Sequence, residues 1–222
     1  MSDLNSKALV SGSAFQGDSI GVSYFMDAER SIERQWFYYI WPRISKINRQ
    51  FVVEIAAGYG RNTERLASCS VHVLATDINA ECIDYINRRL SGSVNISTLK
   101  VNGADLLGVP DECATLVYSF DSMVHFEPEV VESYVSDIKR VLTKGGVAFI
   151  HHSNYILGKG CDFRTQPHWR NYMSKELFGK FVASSGLTIL SQNVFDWDES
   201  YMDPSAQANL LRGSDCISLF VK

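Results

Sequence analysis

The sequence predicts an α/β protein built on a doubly wound, mostly parallel seven-stranded sheet whose last strand is antiparallel. Three observations carry this expectation. Seven short runs of β-branched and apolar residues alternate with amphipathic helical patterns over most of the chain, the signature of crossover units on a parallel sheet. The stretch Phe51-Val-Val-Glu-Ile-Ala-Ala-Gly-Tyr-Gly-Arg-Asn-Thr63 passes from an apolar run through small residues into Glu64-Arg-Leu-Ala67, which reads as strand, tight turn and helix. The last two runs, 187–194 and 215–221, are joined by an acidic, Pro-containing loop with no helical period, so the final strand returns antiparallel.

The elements follow in order. Residues 1–23 are rich in Ser and Gly and read as an arm. Between residues 24 and 42, Ile32, Trp36, Tyr39 and Ile40 lie on one helical face, and Pro42 is expected to stop that helix. Asn62-Thr63 looks like the cap of the helix after the first strand. The second run ends at Asp77, and Asn79 opens a helix with Cys82, Ile83, Ile86 and Leu90 on one face. A third run, 96–101, leads into Asn102-Gly-Ala-Asp105, and a fourth, 114–119, into Phe120-Asp-Ser-Met-Val-His125. Pro128 starts the clearest amphipathic helix, with Val131, Tyr134, Val135, Ile138, Val141 and Leu142 on one face, ending at Lys144-Gly-Gly146. The run 147–152 is the fifth strand. Ser174 caps a further helix that Gly186 closes. The chain therefore divides into an arm and lid helix over 1–50 and one main domain over 51–222, with a polar and aromatic insertion at 155–173.

Composition narrows the function. The chain has 222 residues, enough for one domain with a full core, and 45% are hydrophobic and 21% charged, as in globular proteins. A formal net charge of -4 argues against a nucleic-acid partner. No run approaches the roughly 18 apolar residues of a membrane span, and no signal layout precedes the arm, so the expected location is the cytoplasm. Five cysteines without a C-x-x-C pair suggest neither a metal site nor a disulfide framework. Oligomeric state stays open, with a homodimer among the options.

The turn after the first run carries the chemistry. Gly58 and Gly60 permit a sharp bend and close approach of a ligand to bare backbone, while the following helix directs N–H groups at it. Asp77 closes the next strand near the spacing at which nucleotide folds place a ribose-binding acid. Thr63 stands where the dinucleotide fingerprint has its third glycine, which disfavours a nicotinamide enzyme.

Glu54-Ile-Ala-Ala-Gly-Tyr-Gly60 resembles the first motif of the class I S-adenosylmethionine-dependent methyltransferases, with Ala56 where that family most often has its first glycine. Arg140-Val-Leu-Thr-Lys-Gly-Gly146, leading into the fifth strand, is similar to a later landmark of the same family. The resemblance covers roughly residues 51–154 and implies a Rossmann-like methyltransferase fold with S-adenosyl-L-methionine as cofactor. It implies that Glu54, Ala56, Gly58, Gly60, Arg61 and Asn62 form the cofactor turn, with Asp77 on the ribose and Ile78 beside it. Asn102, Gly103 and Ala104 would meet the adenine, with Asp105 as the competing choice. Trp36 and Phe120 would lie near the sulfonium, and the lid helix would place Gln35 beside it.

Ligands in doubly wound sheets lie beyond the carboxyl ends of the strands, which selects Asp121 and His125 after the fourth strand and His151, His152, Ser153 and Asn154 at the end of the fifth. If the acceptor is a hydroxyl, a group near neutral pKa is expected to take its proton, and histidine suits that role. His152 is the first choice, oriented by Asp121 across the neighbouring strand end, and His125 the second. Because strand residues alternate faces, only one of His151 and His152 is expected to face the acceptor. In the insertion, Trp169 could stack on an acceptor, and Arg164 and Arg170 could pair with a phosphate. Ser119–Phe126 together with Phe149–Asn154 is similar to a branch of small methyltransferases associated with bacterial surface-polysaccharide and sugar-nucleotide pathways. That resemblance implies O-methylation of a sugar, with a nucleotide sugar as a possible small-molecule acceptor. An amine acceptor, or a module that binds the cofactor without catalysis, are the alternatives.

Overall fold

The computed structural model describes residues 2–13, 28–156, 170–197 and 213–222. Seven strands form one sheet in the order β3-β2-β1-β4-β5-β7-β6. They are β1 (Phe51–Ile55), β2 (His72–Asp77), β3 (Ile96–Lys100), β4 (Ala114–Ser119), β5 (Leu142–Ser153), β6 (Thr188–Phe195) and β7 (Asp215–Val221). The pairs β1–β2, β1–β4, β2–β3 and β4–β5 are parallel, and β7 lies antiparallel between β5 and β6. The expected architecture and its antiparallel last strand are both present.

The helices are α1 (Ser2–Ser13), α2 (28–35), α3 (Trp41–Ile44), α4 (Arg61–Ala67), α5 (Ala80–Arg89), α6 (Pro128–Val141) and α7 (Lys175–Ser184). One core lies under α6 and α7 and holds Val53, Val117, Ile138, Ile150, Phe178 and Phe220. A second lies under α2, α3 and α4 and holds Trp36, Ile40, Ile44, Val52, Leu66, Tyr118 and Phe149, and a small third cluster joins Ala57, Ala75 and Ile86. Strand alternation assigns neighbouring residues to different cores, as Val52 and Val53 illustrate. The α7 cap is as expected: Ser174 accepts a hydrogen bond from the Leu177 amide, and Gly186 follows the helix with φ 69°.

Four local expectations need correction. Residues 2–13 are helical rather than an irregular arm, with Ala8 buried and Leu4 packed on the α6 core. Pro42 does not end the helical path. A π-helical stretch, Trp36–Ile40, precedes it, and α3 continues to Ile44. Proline has no N–H for the Tyr38 carbonyl; the Arg43 guanidinium donates to the carbonyls of Tyr38 and Tyr39 instead, at 3.3 and 2.9 Å. The cap of α4 is Gly60, in the left-handed region at φ 82°, and Asn62 and Thr63 lie buried inside the helix. Leu142, expected on the face of α6, is the first residue of β5, and the bulge that follows allows the strand to re-register on β4.

Candidate cofactor and acceptor site

The carboxyl ends of β1 and β2 are tied together. Beyond Ile55, Ala56 and Gly58 adopt left-handed φ of 55° and 56° before Gly60 opens α4. The Ala57 amide donates to the Thr76 carbonyl at 3.0 Å. Asp77 accepts the Gly58 N–H on one oxygen at 2.9 Å and the Asn79 N–H on the other at 2.8 Å. Burial raises the Asp77 carboxyl to about 6, against the lowering effect of these backbone donors. The Ile78 amide is a third backbone donor, and a carboxylate with about four acceptor sites still has room for another.

Glu54 lies beneath the turn, where its Oε2 accepts the Thr63 hydroxyl at 2.5 Å. Burial pushes its pKa up to about 8, opposed by Thr63 and Arg61. From the sequence Thr63 reads as part of a helix cap and as a departure from a glycine pattern; its role as partner of Glu54 is not legible there.

At the end of β3, Asn102 folds onto its own loop. Its Oδ1 accepts the amides of Ala104 and Asp105 at 2.8 and 3.1 Å, and its Nδ2 donates to Asp105 Oδ1 at 2.9 Å. Asn102 and Ala104, expected as adenine readers, thus bond to each other. Gly103 has φ 82°, and a Cβ there would stand 2.3 Å from Ile78 Cδ1 and 3.1 Å from Ala8 Cβ. Only glycine fits under α1 and Ile78 at this point.

Trp36 and Phe120 are members of the core under α2. Trp36 stacks on Trp41, and Phe120 lies among Phe149, His151 and Trp197. Gln35 is buried, and its Oε1 accepts from Arg61. Beside the turn, Asn62 Oδ1 is buried with no hydrogen-bond partner among the described residues.

Asp121, at the end of β4, has a left-handed φ of 61°. Its carboxylate meets Arg61 at 2.8 Å, and its backbone N–H donates to His151 Nδ1 at 3.1 Å. Burial alone would raise the Asp121 carboxyl, but Arg61, with Arg170, His151 and His125 behind it, brings the net below the usual carboxylate value. Ser122 links this segment to the turn by donating to the Ala56 carbonyl at 3.1 Å. His125 closes the short 3-10 turn Met123–His125 and is buried; its carbonyl accepts Asn171 Nδ2 at 2.6 Å.

The expected Asp121–His152 pair is not formed. His151 and His152 point to opposite faces of β5, and His151 is the one that meets Asp121. His152 is fully buried under α7, its ring stacked on Phe178 at 3.8 Å and 6°. Its Nδ1 donates to the Ser153 carbonyl at 2.7 Å, so its Nε2 accepts from Ser218 Oγ at 2.8 Å. Burial lowers the His152 pKa to about 3.

Among the expected acceptor residues, Asn154 bridges Gly213 O and the Lys175 amide. Arg170 is buried against Asp215 at 2.8 Å, rather than presented to solvent. Arg164 and Trp169 lie outside the described residues. No group of three or more metal-binding side chains occurs among the described residues, and no described helix is long and apolar enough to cross a membrane.

Residues 52–146 match the methyltransferase domain family. A demethylmenaquinone methyltransferase of Clavibacter sepedonicus is 26% identical over 165 residues, 74% of this chain. The chain spans 61% of that relative's length. Among solved structures, an S-adenosylmethionine-dependent methyltransferase of Mesorhizobium loti superposes with a TM-score of 0.65 at 14% identity, over 82% of this chain and 97% of that one. The geranyl diphosphate C-methyltransferase of Streptomyces coelicolor, solved with S-adenosyl-L-homocysteine, gives 0.66 at 14% identity, over 86% and 82%. At such identities the superpositions speak for the fold. The match over residues 52–146 and these superpositions support a Rossmann-like methyltransferase fold and S-adenosyl-L-methionine as the cofactor.

Proposed function

We propose that the protein transfers a methyl group from S-adenosylmethionine to a hydroxyl of a small molecule, with a sugar or nucleotide-linked sugar as the acceptor class. The observation that carries the site is the junction of β1 and β2, where the Asp77 carboxylate is stapled to a glycine turn and still has room for a ribose hydroxyl. The left-handed turns at Gly58, Gly60 and Gly103 and the buried acceptor Asn62 Oδ1 fit a bulky polar group at the same end of the sheet. When bound, the cofactor supplies an electrophilic methyl on a sulfonium, so the chain's task is to position the acceptor, an effect that can reach about 7–11 kcal/mol.

Asp121 and His125 follow β4 on the acceptor side in this reading. Asp121, held ionised beside Arg61, orients the acceptor, and His125 takes the hydroxyl proton on an imidazole nitrogen. His152 is withdrawn from that role by its burial under Phe178. The sugar acceptor rests on the likeness of Ser119–Phe126 and Phe149–Asn154 to the polysaccharide-pathway branch, which also suggests a cytoplasmic enzyme. Residues 1–50 serve as arm and lid and 51–222 as the catalytic domain, with 155–173 on the acceptor side.

The likeness to the Clavibacter demethylmenaquinone methyltransferase favours a second reading, in which the acceptor is a demethylated quinone. Isotope-labelled S-adenosylmethionine, offered with nucleotide sugars in one arm and reduced demethylmenaquinone in another, separates the two by the labelled product. Label on neither acceptor class, with the cofactor bound, would favour a binding module without catalysis.

A further inference from the structure

A continuous series of hydrogen bonds runs from the last strand to the helix before the first. Arg170 Nε donates to Asp215 Oδ1 at 2.8 Å, and His151 Nε2 meets the same oxygen at 2.9 Å. The Asp121 N–H donates to His151 Nδ1 at 3.1 Å. The Asp121 carboxylate accepts from Arg61 at 2.8 Å, and Arg61 Nη1 donates to Gln35 Oε1 and the Ala28 carbonyl, each at 2.9 Å.

The chemistry fixes the direction of each bond. A backbone amide can only donate, so His151 Nδ1 is the bare nitrogen and the proton sits on Nε2, facing Asp215. Asp215 is a strong selector of that tautomer. It is fully buried, yet Arg170 and His151 outweigh the burial penalty and hold its carboxyl far below the ordinary range. Trp197 Nε1 donates to its other oxygen at 3.0 Å, which fixes the carboxylate plane. Asp121, in turn, occupies a left-handed conformation, which aspartate adopts more readily than most residues with a Cβ, and the His151 acceptor is a hold on its backbone there.

Among the described residues, the ion pairs Arg65–Glu33 and Arg89–Glu29 also hold α2, but their side chains are 39 and 58% exposed in the first and 25 and 30% in the second. Solvent and salt weaken such pairs. The Arg61–Asp121 pair, 11% exposed on each side, is more sheltered than either.

We propose that His151, oriented by Asp215, is a positioning residue: by accepting the Asp121 N–H it holds the Asp121 carboxylate against Arg61, and through Arg61 it fixes α2 beside the cofactor turn. The proposal rests on the methyltransferase reading only where it names the cofactor. It makes a buried residue of β7 necessary for a lid at the opposite end of the chain.

The test uses the full chain and two substitutions that each keep one half of the imidazole. His151→Asn retains an acceptor near the position of Nδ1, and His151→Gln retains a donor near Nε2 but offers nothing to the Asp121 amide. Hydrogen exchange over residues 28–35 and calorimetric affinity for S-adenosylhomocysteine are read in both. His151→Gln is expected to speed exchange across 28–35 and raise the Kd about tenfold, whereas His151→Asn restores both towards wild type. Folded variants that both keep wild-type exchange and affinity overturn the proposal. If wild type binds no S-adenosylhomocysteine, the cofactor reading fails, and the exchange of 28–35 alone decides the relay. Should His151→Gln not fold, the ¹⁵N shifts of the wild-type imidazole decide: a proton on Nε2 supports the relay and a proton on Nδ1 overturns it.

Discussion

Thr63 Oγ1 donates to Glu54 Oε2 at 2.5 Å, joining the third turn-facing position of α4 to the strand below the cofactor turn. A glycine at 63 would leave a fully buried carboxyl without this donor. The hydroxyl therefore accounts for the departure from a glycine at this position. Thr63→Val, which preserves shape and removes the donor, should destabilise the protein by about 1–3 kcal/mol. Chemical denaturation of both proteins at the same pH checks it, and equal midpoints and slopes would remove this account.

Asp77 has a double duty that the sequence did not reveal. From the ribose role alone, Asp77→Ala would weaken cofactor binding and leave the apo protein's melting point unchanged. Because Asp77 also satisfies the Gly58 and Asn79 amides, the alanine variant should lose about 1–3 kcal/mol of stability as well. Asp77→Asn keeps one acceptor oxygen, so it should lose less stability than alanine while still weakening S-adenosylhomocysteine. Calorimetry and thermal melts on both variants separate the two effects.

Ala56 sits at φ 55°, where the resembled family most often has glycine. A left-handed residue with a Cβ carries about 1–2 kcal/mol of strain, and glycine returns about 0.5–1 kcal/mol of unfolded-chain entropy. Ala56→Gly should therefore be neutral to about 1 kcal/mol more stable. A clear loss of stability by denaturant unfolding would contradict the assigned backbone conformation.

His152 carries a pH signature. Its folded pKa is lowered from 6.5 to about 3 by burial. The unfolded chain takes up the proton first, so this group's contribution is full above about 6.5 and is lost as pH falls towards 3. The loss is about 1.4 kcal/mol per pH unit within that window. Glu54 and Asp77, both raised by burial, pull the other way as pH rises. Their effect cancels in a comparison with His152→Phe. The stability of wild type minus that of the variant should fall by about 1.4 kcal/mol per pH unit as pH drops from 6.5 to 4, whatever the shape of either profile. Parallel profiles would mean that the His152 ring is accessible to protons.

The sheet was legible because alternation and turn residues reported it directly. The bounds of β1, β4 and β7 follow from the apolar runs, and the missing helical period between 195 and 215 implied the antiparallel return. Other features depend on partners distant in sequence. Pro42 marked a helix end by its missing N–H, but the Arg43 guanidinium supplies the donor. The parity of β5 decides between His151 and His152, and a bulge near its start obscures that parity in the sequence. Asp215 looked like the first residue of a strand; its charge becomes meaningful only when Arg170, from before α7, arrives beside it. The N-terminal helix was missed because its Ser-rich sequence has little apolar period, while the packing of Ala8 beside Gly103 is tertiary.

The central claim is that S-adenosylmethionine binds at the joined ends of β1 and β2. Its most direct test is a titration of the ¹⁵N-labelled protein with S-adenosylhomocysteine, following the amides of Gly58, Gly60 and Gly103. Saturable shifts in all three with a common Kd, weakened together in Asp77→Asn, are the predicted result. Binding that leaves these three amides unmoved, or no binding at millimolar ligand, would contradict it.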